Sequence, residues 1–97
     1  MEASIQVSEA VEAAKKCVNE LFGTEGVSDI GLEELEYDES SREWLVTIGF
    51  SRPWDRPAGS LGAIAQAIAY PRRSYKIVRI SDATGKVRAV KNREVEP

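Results

Sequence analysis

The stretch Tyr75–Val90 constrains the fold of this chain more than any other. Two short β-prone runs are joined there through Asp82-Ala83-Thr84-Gly85. Asp suits the first position of a type I turn because its carboxylate can bond the backbone two residues on. Gly at the fourth position supplies the positive φ that brings the second strand back. The first run is apolar on both sides, since Tyr75 and Ile77 alternate with Val78 and Ile80. A strand of that kind needs a cover on each face of its sheet.

A helix is expected to supply one cover. Over residues 8–22, Ala10, Val11, Ala14, Cys17, Val18, Leu21 and Phe22 recur at three- and four-residue spacing and form one apolar stripe. Glu12 and Lys16 on the polar face stand in the favourable i, i+4 order. Ser8 is the expected N-cap, and Gly23 the expected left-handed C-cap. Thr24–Gly31 reads as a linker. A strand is expected over 32–37, a polar turn over Asp38-Glu39-Ser40-Ser41, and a stronger strand over 43–51. In that strand Trp44, Val46, Ile48 and Phe50 share one side and should face the helix, while Leu45, Thr47 and Gly49 share the other. Pro53 and Pro57 end it. An apolar insertion follows over 53–72, with Ser60 positioned to cap a short helix that Pro71 would stop. The closing hairpin takes strands at 74–81 and 86–91.

These elements predict a single α+β domain over residues 1–97. One N-terminal helix packs on a three- to four-stranded antiparallel sheet, and the apolar insertion lies between two hairpins. At 97 residues the chain is long enough to bury a core without staples and too short for two domains. No apolar run reaches the length of a membrane span, and Met1–Ile5 lacks the basic start and apolar stretch of a secretory signal. With a single cysteine and no possible internal disulfide, the expected location is the cytoplasm, away from membranes.

Charge is unevenly distributed. Residues 1–50 carry twelve Asp/Glu against three Lys/Arg (−9), and residues 51–97 carry four against ten (+6), which together give the net −3. Such asymmetry marks either an interaction surface or acidic and basic strands that neutralise each other within one sheet.

The residues argue against catalysis. The chain has no histidine, the commonest general base and nitrogen ligand. Cys17 lies on the apolar side of the helix, as a small core residue would. The carboxylates from Glu33 to Glu43 lack the fixed spacing of an acid pair. Gly59 and Gly62 do not make a phosphate loop. No cofactor or metal is expected. The basic residues of the last hairpin surround Tyr75, but a pI near 5.0 opposes long-range attraction to a nucleic acid.

A short helix ending in Gly, then strands closing on Ile80, Asp82, Ala83, Thr84, Gly85 and Val87, resembles the PepSY-type domain. The resemblance covers the helix and the C-terminal third. It implies a non-catalytic module that binds or inhibits protein partners. Two features depart from it: the segment 58–70 and the absence of an export signal.

Size and acidity give the functional expectation a direction. A small, acidic, non-enzymatic domain fits an inhibitor of the immunity or antitoxin type, whose carboxylates would steer it onto a basic toxin or nuclease. The contacting residues are expected among Glu33, Glu34, Glu36, Asp38 and Glu39, and in the insertion at Trp54, Leu61, Ile64 and Ile68. The competing expectation is a self-associating structural or regulatory module, with a homodimer as its simplest form.

Overall fold

The computed structural model describes residues 4–53 and 73–93. In chain order they form α1 (Val7–Phe22), a 3-10 turn (Gly23–Glu25), β1 (Ser28–Asp38), β2 (Glu43–Ser51), β3 (Ser74–Ser81) and β4 (Val87–Asn92). The strands make one antiparallel sheet in the order β1-β2-β3-β4. The α+β reading and the helix-on-sheet arrangement hold, with the full complement of four strands. The expected insertion, apart from Pro53, lies outside the described residues.

α1 forms where the apolar stripe predicts and lies chiefly over β2. Ala10, Ala14 and Val18 are fully buried against Val46, Ile48 and Phe50 of β2 and Val78 and Ile80 of β3. Two alanines in the contact let the helix backbone approach the sheet closely, so the larger strand side chains fill the space between. Each fully buried Val, Ile or Phe contributes about 1.5–3 kcal/mol relative to exposure. Phe22 closes one end of this core, its ring stacked on Phe50 at 5.4 Å. Arg52 lies over both rings at 5.3 and 5.4 Å, and Lys76 lies over Phe22 at 5.2 Å. Burial, then the nearby Arg52, hold the Lys76 ammonium below its ordinary pKa.

The N-cap is displaced, whereas Gly23 is the C-cap as expected but not in the expected left-handed conformation. Gln6, not Ser8, is the N-cap, and its backbone N–H donates to Glu9 Oε1 at 3.3 Å. The cause is tertiary: the Ile5 N–H donates to the Asp82 carbonyl at 2.9 Å, which fixes where the chain turns into the helix. Gly23 is right-handed (φ −59°), and the chain runs on into the 3-10 turn. The left-handed position falls at Gly26 (φ +76°), where an added Cβ would come within 3.0 Å of Pro53 Cγ.

β1 begins at Ser28, four residues before the sequence suggests, so the expected linker is partly strand. Asp29-Ile30-Gly31 shows no alternation because the pairing with β2 shifts register twice, between Ser28 and Gly31 and between Leu32 and Glu34. β4 spans Val87–Asn92 in place of 86–91. Trp44 shares the helix side as expected but stands at the sheet's end, half-buried and packed against Tyr37 at 4.8 Å.

The β3–β4 hairpin forms with a different bond pattern. The Gly85 N–H donates to the Ser81 carbonyl at 2.8 Å, and the Ser81 N–H donates to the Lys86 carbonyl at 2.9 Å. Ser81 Oγ, not the Asp82 carboxylate, accepts the Thr84 N–H at 3.3 Å. Gly85 supplies the expected positive φ (+74°). An added Cβ there would meet Ile5 only at ordinary contact distance, 3.4 Å, so Gly85→Ala acts through backbone strain. The substitution should cost about 1–2 kcal/mol in urea unfolding. An unchanged midpoint would mean the hairpin relaxes into another turn.

Candidate functional site

The register of β1 distributes its acidic side chains. Glu34 pairs with Thr47 and Glu36 with Leu45, so both stand on the sheet face opposite α1. Leu35 pairs with the buried Val46 and stands on the helix side. Glu33 is the extra residue of the Leu32/Glu34 irregularity. Its stem lies over Gly49, where an added Cβ would fall 2.8 Å from Glu33 Cγ and 3.1 Å from Arg73 Nη2. A larger residue at 49 would force the Glu33 side chain off this position.

Five acidic residues expected to contact a partner therefore divide into two groups. Glu34 and Asp38 are engaged within the chain. Glu34 pairs with Arg93 at 2.5 Å. Asp38 Oδ1 accepts the Ser40 N–H at 3.0 Å and the Ser40 hydroxyl at 2.7 Å, and Asp38 Oδ2 lies 4.0 Å from Arg79. The Ser40 and Ser41 bonds hold the Asp38 carboxyl below its usual pKa. Glu33, Glu36 and Glu39 are exposed and make no side-chain hydrogen bond or ion pair among the described residues. Trp54, Leu61, Ile64 and Ile68, the other expected contacts, lie outside the described residues.

β1 is the outer strand of the sheet, and its apolar residues are also open. Leu32 is 43% exposed and Leu35 37% exposed. α1 covers the middle of the sheet and leaves these two leucines beside the exposed Glu33 and Glu36. The edge thus combines apolar contact on one face, carboxylates on the other, and strand backbone between them.

Two polar clusters were not legible in the sequence. Glu43, a buried carboxylate, has Oε1 at 3.1 Å from Arg79 and Oε2 at 3.3 Å from Arg88. Asp82, also buried, accepts the Tyr37 hydroxyl at 2.9 Å, while its backbone N–H donates to the Arg42 carbonyl at 3.0 Å. Both join residues far apart in sequence, so only the pairing register could reveal them. Together with Arg93–Glu34, the Glu43 pairs show basic residues of β3, β4 and their flank neutralising acidic residues of β1 and β2 across the sheet.

Cys17 is half-buried on α1, and burial, then the nearby Glu20, push its thiol above the ordinary range. Among the described residues no three His, Cys, Asp or Glu side chains are grouped to hold a metal ion. Among the same residues no helix is long and apolar enough to cross a membrane. No family model, curated protein or solved structure matches this chain.

Proposed function

We propose that this chain is a non-enzymatic protein-binding module, a cytoplasmic acidic inhibitor of the immunity or antitoxin type that neutralises a basic partner such as a nuclease. The observation that carries the reading is the exposed outer strand β1, where Glu33 and Glu36 stand without ion pairs among the described residues, beside open Leu32 and Leu35. Unpaired carboxylates raise the encounter rate with a basic surface, and the leucines supply apolar area on contact. Glu34 and Asp38 serve the fold, which leaves Glu33, Glu36 and Glu39 as the capture set.

Affinity capture from native cell lysate tests this directly. The chain should retain a basic protein at low salt and release it at high salt. Replacing Glu33, Glu36 and Glu39 by Ser should reduce retention and flatten its salt dependence, with circular dichroism unchanged. Equal retention by this variant would sink the reading.

A second reading, a self-associating scaffold of the PepSY-like kind, is favoured by a different observation: the two outer strands carry opposite charge. β1 holds Glu33, Glu34, Glu36 and Asp38, whereas β4 holds Arg88 and Lys91.

A further inference from the structure

Each row of side chains across the sheet can be followed from one outer strand to the other. Leu35 pairs with Val46, Val46 with Val78, and Val78 with Val90, so an apolar row runs the full width on the helix side. On the opposite face Glu34, Thr47, Ile77 and Lys91 form the next row, and Glu36, Leu45, Arg79 and Ala89 another. The first of these polar rows starts on a carboxylate and ends on an ammonium. Among the described residues no strand pairs with the outer side of β1 or β4.

We propose that copies of this chain associate head to tail, the β4 edge of one pairing with the β1 edge of the next. Strand direction alternates along the order β1-β2-β3-β4, so a following β1 continues the antiparallel sheet and keeps every α1 on one face. The matching register runs each row into the same row of the neighbour. Val90 then meets Leu35 on the helix side, where Leu35 is 37% exposed in the single chain. On the other face Lys91 stands opposite Glu34, which Arg93 of its own chain already holds, and diagonal to the exposed Glu36, the spacing at which opposite charges across a ladder attract. Both matched segments are regular. The β1 irregularities precede Glu34, and the β4 irregularity lies between the partners of Arg79 and Ile80, before Ala89.

Symmetric pairing is disfavoured by the same residues. Two β1 edges would set Glu34 and Glu36 against their own copies, and two β4 edges would do so with Lys91 and Arg88. The contact is therefore heterologous and propagates as a filament or closes as a ring. Helices do not obstruct it: four strands at about 4.8 Å give a repeat of about 19 Å, and one helix is about 10 Å across.

The inference rests on the self-associating reading and deepens it; its test uses the chain alone, so its outcome is separate from capture of a basic partner. In sedimentation velocity at low salt, mass should rise with concentration and fall back when salt is raised. A Glu36→Lys chain and a Lys91→Glu chain should each associate far more weakly than the wild type while keeping the wild-type circular dichroism. Mixed together they should recover association, because each repulsive edge then meets its opposite. A wild-type chain that stays monomeric at every concentration would overturn the proposal. So would single variants that assemble as the wild type does, or a mixture that fails to recover.

Discussion

Phe50→Ala should lower the stability of this domain by about 3–5 kcal/mol, the largest loss expected from any single truncation. Phe50 is fully buried and is the largest side chain of the core. Its ring stacks on Phe22 at 5.4 Å, which ties the last turn of α1 to the end of β2. Truncation removes that stack, opens a cavity under the helix and takes away one of the two rings beneath Arg52. A domain of this size has about 5–15 kcal/mol in total, so the variant should populate unfolded chain at moderate urea. Equilibrium urea unfolding followed by tryptophan fluorescence measures it, since Trp44 sits at the far end of the same face. A loss below about 1 kcal/mol would mean that the helix and sheet are held elsewhere.

Asp82→Ala should cost about 1.5–3 kcal/mol, because the bond it removes is charge-assisted and part-buried. Asp82 joins four segments. Its carboxylate accepts the Tyr37 hydroxyl from β1, its N–H reaches the β1–β2 turn at Arg42, its carbonyl takes the Ile5 N–H ahead of α1, and it begins the β3–β4 turn. Alanine keeps the backbone bonds and deletes the side-chain one. Tyr37→Phe deletes the same bond from the other side, and a double-mutant cycle should show strong coupling between the two.

The pair also predicts an alkaline transition. The hydrogen bond to Asp82, then burial, raise the Tyr37 phenol above its ordinary pKa, because only the protonated phenol can donate. The stability from this bond is complete below the unfolded value of about 10 and is lost as pH rises through the higher folded value. Wild type should therefore weaken above pH 10 more steeply than Tyr37→Phe does. Parallel slopes for the two would remove Tyr37 from the account.

What the residues show by themselves follows from periodicity. The stripe from Ala10 to Phe22 specifies a helix with one buried side, and Trp44–Phe50 specifies a strand with one core face. Asp82 to Gly85 specifies a return, and the structure keeps the positive φ at Gly85. Helix, strands and hairpin are local facts, set by side-chain spacing and backbone freedom, and they suffice for the fold class.

Tertiary structure decided everything that depends on which strand lies beside which. Ser28 to Gly31 became strand because β2 offered partners that the irregular spacing of those residues conceals. Gln6 became the N-cap because Asp82 holds Ile5. The acidic run of the first half divided into carboxylates held by Arg93 and Arg79 and carboxylates left open on the β1 edge, a distinction that spacing along the chain does not contain. Periodicity fixes which side a residue faces, whereas long-range pairing fixes its neighbours, and it is the neighbours that separate a structural charge from one free to meet a partner.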